Sequence, residues 1–528
     1  MCPRWKRALA TLDRQPAWAK QCGWNAGFDR SVHCPMNPLA RLAGLHRMNS
    51  PYGPVAVSIL LLCSCAASGA AEAVATTFVR VSPRDPRYFE LSDGRPYIPI
   101  GLNLIAPDAP HSSSESNGLA RMDQWLSQLA RHGGNLFRVW LSAPFWDVEH
   151  QRSGVYDEVK ARRIDALLDL ARRRGLRAKL TLEHFREMSS SPRQRWANKP
   201  LHLTTQGGPA TNVADFFSGA ASRDQFRRKL AWFASRWGKH PSVFGWELWN
   251  EINAVATGPE HWLPWTEAML AELHRLFPQH LAMQSLGSFD SPRVRELYRR
   301  HSLLSGNDLA QVHRYLDLGA SLEVCHGPVD VLTADAVREL LSYQPSRPVL
   351  LAESGAVEPR HTGPFKLYAK DKAGIILHDV LFAPFFAGAA GSGQIWHWDV
   401  YVDRNNLWHQ FARFAEAVKG LDPPAERFQP TELEHPRLRV YALQGRRTTL
   451  LWCRDKQNTW QTELGQGQAP QQLQGLSLDL SGLPRPVPTG PAMVYDPWTD
   501  RHLPVERTGT RLLLASFCRS VVVRLGAQ

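Results

Sequence analysis

A chain of 528 residues is too long for one ordinary domain and suits a large domain with a smaller module beside it. Apolar residues at 43% and charged residues at 21% are those of a globular protein with an ample core, which excludes a fibrous or disordered chain. The formal charge of +13 comes largely from arginine, but runs such as Arg162-Arg163 and Arg172-Arg173-Arg174 lie on the polar side of helical patterns and no nucleic-acid motif accompanies them.

The first segment with a physical signature is 55–70, an apolar run too short for a comfortable membrane span. Arg41 and Arg47 precede it and Ala71-Glu72-Ala73 follows, the layout of a secretory signal. Residues 1–73 are therefore expected to be a leader, with translation start alternatives at Met36 and Met48, and the mature chain secreted or periplasmic. A lipoprotein signal ending at Cys65 is the variant reading. No other run is long enough to cross a bilayer.

From about residue 78 strand and helix patterns alternate as in a parallel α/β fold. Phe89 to Pro96 reads as a hairpin leading into a first strand, Tyr97 to Asn103. A helix over 122–132 precedes the strand Leu136 to Leu141. Ile164, Leu167, Leu168 and Ala171 form a helical stripe that stops at Gly175, before the strand Leu176 to Glu183. A long Ser/Pro/Gly/Thr-rich segment, 186–222, is expected to wall a cleft, with Trp196 and His202 as possible contacts. Phe226, Leu230, Phe233 and Trp237 mark the next helix, and Phe244-Gly-Trp-Glu-Leu-Trp-Asn-Glu251 the fourth strand. Strands are then expected over 280–287, 308–313, 348–353 and 393–398, with helices over 265–276, 333–342, 371–386 and 406–419 and another opening at Ser291-Pro292. Eight strand–helix units are the count of a (β/α)8 TIM barrel over 74–423, whose chemistry sits where the strands end.

Leu421-Asp-Pro-Pro marks the exit. Beyond it, short alternating strands from 438 to 525 predict a small C-terminal all-β sandwich over 430–528, packed on the barrel, with Trp452 or Trp498 as less favoured sugar contacts. Cys453 and Cys518 fall in those strands and are placed to pair, leaving Cys325 buried and inert. No Cys/His spacing signals a metal site, and no cofactor is implied.

Glu251 and Glu353 each end a strand. Two parallel strands that finish on carboxyls can face those groups across a barrel mouth, and carboxyls at a fixed separation are what glycosidic bond cleavage needs. Glu247 shares the strand parity of Glu251, so it points into the barrel and needs a cationic or hydrogen-bonding partner. Nineteen tryptophans fit a sugar cleft lined by flat rings, although most of them belong in the core.

Trp249-Asn-Glu251 after Arg236-Trp-Gly-Lys-His-Pro-Ser-Val-Phe-Gly-Trp-Glu, with the later Glu353, resembles the clan A glycosidases and most closely glycoside hydrolase family 5 (cellulases, mannanases and relatives). The resemblance covers about residues 85–420; Ile252 stands where the family usually carries proline. It implies Glu251 as general acid/base, Glu353 as nucleophile, and retention of configuration on a β-linked polysaccharide or oligosaccharide. It further implies that Asn250 bonds the sugar 2-hydroxyl, that Arg138 holds the nucleophile ionised, and that His184 and His313 line the sugar site. Tyr315 would donate to Glu353. Trp396 or Trp398 would lie under the sugar, with Trp396 preferred, and Asn103 and Trp146 would add contacts. The alternatives are a sugar-binding barrel without catalysis, and an exo-acting mannosidase or xylosidase of the same clan.

Overall fold

The computed structural model describes residues 77–107, 117–184 and 201–526. The expected leader with Cys65, and Trp196, lie outside the described residues. Strands β1 (Gly101–Asn103), β2 (Leu136–Trp140), β3 (Arg177–Glu183), β4 (Val243–Trp249) and β5 (Leu281–Met283) pair in parallel succession, and β6 (Ala310–His313) pairs in parallel with β7 (Val349–Glu353). Ile395 closes the ring by bridging Leu102 of β1 and Ser354 just past β7. Helices alternate with the staves: α1 (Gly118–Arg131), α2 (Glu158–Arg173), α3 (Ala220–Trp237), α4 (Pro259–Leu276), α5 (Arg295–Ser302), α6 (Val329–Ser342), α7 (Ile375–Phe386) and α8 (His409–Ala417). The chain is a (β/α)8 barrel followed by a C-terminal all-β domain.

Local chemistry sets several boundaries. Asp157 caps α2 by accepting from Val159 and Lys160 backbone N–H, and Gly175 leaves the helix at φ 70°. The hairpin at Phe89 turns at Gly94 and pairs with Pro96–Tyr97, so β1 starts later than the pattern suggested. The fifth stave stops at Met283 because Gln284 and Ser285 turn to the fourth: Gln284 Nε2 donates to the Trp249 carbonyl at 2.8 Å, and Ser285 Oγ accepts from the Glu251 N–H at 3.2 Å. The strand expected over 393–398 does not form. Gly393 is wedged where a Cβ would sit 2.3 Å from the Val380 carbonyl, and a π-helix begins at Trp398, so the segment joins its neighbours only through the bridges of Ile395 and a few backbone bonds from Gln394 and Trp396. Residues 201–222 of the long segment carry the short helix Val213–Ser218.

The C-terminal domain is a sandwich. Its larger sheet runs, in spatial order, Gln429–Leu433, Leu438–Gln444, Thr448–Asp455, Ser520–Gly526, Ala492–Asp496 and Arg501–Leu503. Alternation decides what each face covers. Val440, Leu451 and Val523 join Leu478 and Leu512 of the second layer in the sandwich core. Their neighbours Tyr441, Trp452 and Val522 point the other way, into the barrel's core. Helix α7, apolar except for His378 and Asp379, lies under that second face and has all twelve residues buried, as a helix covered on both sides must. Trp452 is sealed against Phe382 at 5.8 Å and Tyr441 at 5.2 Å, so it is a docking residue and not a sugar platform. Trp498 donates to Ser520 Oγ and packs 4.3 Å from the His378 ring.

Charges pin this interface. Arg454, fully buried, donates to Asp379 of α7 at 2.8 Å, and Asp330 of α6 accepts from Arg439 and from the Tyr441 hydroxyl at 2.9 Å. Replacing Arg454 by methionine strands the Asp379 carboxyl in the interface and is expected to cost about 3–5 kcal/mol. Urea unfolding measures this, and the double variant Arg454→Met with Asp379→Leu should regain most of the loss. The expected Cys453–Cys518 bridge is absent: Cys325, Cys453 and Cys518 are free thiols. Strand register is the reason, since Cys453 sits opposite Val521 while Cys518 sits opposite Gln472 in a separate ladder. Among the described residues no helix is long and apolar enough to cross a membrane.

Candidate active site

The carboxyl ends of the staves gather one continuous polar network. Arg138 projects from β2 into the barrel, fully buried, and every arm of its guanidinium is used. Nε and Nη2 hold Glu247 Oε2 at 2.8 and 2.7 Å; Nη2 also donates to Asn250 Oδ1 at 2.6 Å, and Nη1 donates to Glu353 Oε1 and to Asn103 Oδ1. A planar fork of this kind fixes two carboxylates and an amide at once. The Tyr315 hydroxyl donates to the other Glu353 oxygen at 2.9 Å. Glu353 therefore enters the site with a cation and a hydroxyl on it.

Glu251 is held differently. It follows β4 in the left-handed region at φ 52°, an uncommon conformation for a side chain with a Cβ. Its N–H is tied to Ser285, and its Oε1 lies 2.9 Å from His313 Nδ1. No guanidinium or ammonium touches it among the contacts described. Burial, and then the Glu353 charge, push its carboxyl well above the usual range. Burial also raises Glu353, but Arg138 and Tyr315 oppose that rise. Burial holds the His313 imidazole well below its ordinary value, so it stays neutral between the two acids. One oxygen from each glutamate and a His313 nitrogen all lie within 4.8 Å of one another.

The remaining candidates sort by what they touch. Because Asn250 Oδ1 accepts from Arg138, its amide nitrogen is turned away from Arg138; buried Nδ2 has no protein partner among the described residues and is available to a hydroxyl. His184, past β3, lies 2.6 Å from Ser142 Oγ through Nδ1, and its ring stacks on Trp140 at 5.0 Å. Trp396 packs 5.1 Å from the same Trp140 ring and keeps a partly exposed face. Trp398 is buried, edge-on to Trp125. Pleat parity does not relate these two rings, because no strand runs through them. Two expected sugar contacts are corrected. Trp146 is fully enclosed with its indole N–H on the Ile105 carbonyl, and Asn103 is fully buried, donating to the Ala352 and Ile395 carbonyls. The protein itself already uses the polar groups of both. His202 is likewise buried, 3.1 Å from Ser153 Oγ through Nδ1.

Three residues of this region escaped the sequence reading. Trp140 shares parity with Arg138 on β2, so its place beside the site was legible. Lys179 and Gln311 are not at strand ends; they lie deeper in the barrel, in contact with Glu247 or with each other.

Two further clusters bring ligand-type atoms within 4.8 Å: Glu149, Glu183 and His202, and Asp290, Asp317 and His361. In the first, the Lys229 ammonium occupies the position of a cation, 2.9 Å from Glu149 and bonded to Glu183. In the second, His361 Nδ1 pairs with Asp317 at 2.9 Å and its ring stands edge-on to Tyr315.

Replacing Arg138 by methionine leaves Glu247 and Glu353 facing each other without their shared cation. The expected loss is about 3–5 kcal/mol of stability, read by chemical denaturation, because a buried charge is left uncompensated. Raising the acidity of the medium should narrow the gap between variant and wild type. Glu247 is held down to about 2, so the stability its ionisation contributes is full above its ordinary 4.5 and disappears as pH falls through 2.

No protein-family model matches the sequence, and no curated protein matches it. Solved structures match in fold. A chain named "Glycoside hydrolase" aligns with 85% of this chain and 97% of its own at a TM-score of 0.53 and 12% identity. A glycoside hydrolase family 5 protein from Bacteroides vulgatus ATCC 8482 aligns with 85% of this chain and 93% of its own at a TM-score of 0.50 and 13% identity. The chain is thus similar in architecture to glycoside hydrolase family 5, the family its fourth-strand motif resembles.

Proposed function

We propose that the protein is an exported retaining β-glycosidase that hydrolyses a β-linked polysaccharide or oligosaccharide by double displacement. The observation that carries this reading is the asymmetric pair: two carboxyls with oxygens within 4.8 Å, one held by Arg138 and Tyr315, the other free of cations. Carboxyls about 5–5.5 Å apart leave no room for a water between the second carboxylate and the sugar, which is the spacing of retaining enzymes; inverting pairs stand ~6.5–9.5 Å apart.

Roles follow from the partners. Glu353, ionised against Arg138, attacks the anomeric carbon while Glu251 gives its proton to the departing oxygen. The glycosyl ester that forms removes the Glu353 charge. Glu251, now an anion without a repelling neighbour, takes a proton from water, and that water's oxygen attacks the ester's anomeric carbon and restores Glu353. Asn250 Nδ2 is placed to bond a sugar hydroxyl, and Trp396, backed by Trp140, offers aromatic surface to a ring.

Residues 74–528 incubated with β-glucan, mannan, xylan and aryl β-glycosides test the reading. Release of reducing sugar whose first-formed anomer is β, followed by proton NMR, supports it. An initial α-anomer means inversion, and no release from any substrate sinks the assignment.

A further inference from the structure

We propose that Lys179 is a positioning residue for this chemistry, the far end of a charge-alternating stack that keeps Arg138 on the nucleophile. The proposal rests on the glycosidase reading only for what the stack serves; the stack itself is geometry. Lys179 stands on β3 with its Cα opposite Arg138 of β2 and Gly245 of β4, and it is fully buried inside the barrel. Its ammonium donates to Gln311 Oε1 and lies 3.6 Å from Glu247 Oε1. Glu247 is thereby divided. Oε2 belongs to Arg138 and to Thr181 Oγ1 at 2.5 Å, while Oε1 faces Lys179 and the Gln311 amide at 3.3 Å.

Followed from contact to contact the charges therefore run plus, minus, plus, minus: Lys179, Glu247, Arg138, Glu353. With Glu251 protonated and His313 neutral they cancel. Every member is sealed from water, so the balance cannot be supplied by solvent. Removing Lys179 leaves two carboxylates for one guanidinium. Glu247 keeps two arms of Arg138 and a hydroxyl from Thr181, whereas Glu353 keeps one arm and the Tyr315 hydroxyl. The proton that restores neutrality therefore goes to Glu353, which disarms the nucleophile.

The same cation assists the second half of the reaction. Once Glu353 is esterified, Lys179 and Arg138 outnumber Glu247, and that positive excess favours ionisation of Glu251 at the moment it must act as base. Burial brings the Lys179 ammonium down to about 7, with Glu247 and Glu353 opposing the fall, so Lys179 carries its charge on the acid side of neutrality. That is the range in which Glu353 needs help to stay ionised.

The test follows Glu353 directly. In protein labelled with 13C at glutamate side-chain carboxyls, the Glu353 resonance is assigned by its loss in Glu353→Gln and titrated in wild type, Lys179→Met and Lys179→Gln. The expected result is a Glu353 midpoint moved up by about one pH unit in both neutral variants, the scale of one charge a few ångströms away. Lys179→Arg should bring it back toward wild type. A structural role alone would lower thermal stability and leave the midpoint in place, and an unmoved midpoint in a folded Lys179→Met or Lys179→Gln protein overturns the proposal. In parallel, the acid limb of kcat/KM on 4-nitrophenyl β-D-glucopyranoside and β-D-mannopyranoside should move with the resonance while KM holds. If the wild type cleaves neither these nor any other glycoside, the enzyme reading fails, yet the titration still decides Lys179.

Discussion

Glu353→Ala is expected to lower kcat/KM on the order of 10⁵-fold, the loss typical of removing a nucleophile from a site that acts as a unit. Folding should survive the change. The truncation leaves Arg138 with Glu247 still bound and opens a small space at the mouth, not in the packed core. The informative step is rescue. Azide at high concentration fits the space vacated by the carboxylate and attacks from the same side, so a retaining enzyme should yield the α-glycosyl azide from an activated β-glycoside. Detection of that product by NMR checks both the residue and the stereochemistry. Unchanged turnover in Glu353→Ala would remove the nucleophile from the scheme.

Glu251→Ala should separate two kinds of substrate. A sugar leaving group needs a proton, and loss of the acid is expected to cost about 10³-fold on an oligosaccharide. A 2,4-dinitrophenyl leaving group departs as a stable anion, so its cleavage should fall far less in the first step. The pH profile supplies the sign. Glu353 must be ionised, so activity falls as pH drops through its value; Glu251 must be protonated, so activity falls as pH rises through its own. Glu251 lies well above the ordinary carboxyl range, because burial and the neighbouring Glu353 charge both disfavour its ionised form. The wild-type profile should therefore be a bell whose alkaline side vanishes in Glu251→Ala, while the acid side stays. Loss of the acid side instead would exchange the two roles.

Strand ends were the legible part of this site. Glu251 and Glu353 close two apolar runs and parity aims Glu247 into the barrel, whereas the contacts Arg138–Glu353 and Tyr315–Glu353 were implied only by the family resemblance. Reading failed where regular structure failed. The segment around Trp396 and Trp398 looks like a strand in composition but is interrupted by close packing at Gly393, and parity then says nothing about which ring opens to the cleft. Trp146 and Asn103 misled for another reason: position near a strand end does not show whether a side chain's polar groups are already taken by the protein.

The linear pattern of apolar and polar residues by itself determined the alternation of staves and helices, the two-faced sheet at the C-terminus and the placement of two acids at strand ends, because period and punctuation are local properties of the chain. Tertiary structure alone decided that Glu247 shares Arg138 with Glu353, that Lys179 completes the stack through Glu247, that Cys453 and Cys518 stay apart, and that α7 is covered on both sides. Those outcomes depend on distances between residues up to about two hundred positions apart, such as the 215 separating Arg138 from Glu353, and on the absence of water around them. Only a closed barrel supplies both, since it brings remote strands into register and shuts solvent out of the space between them.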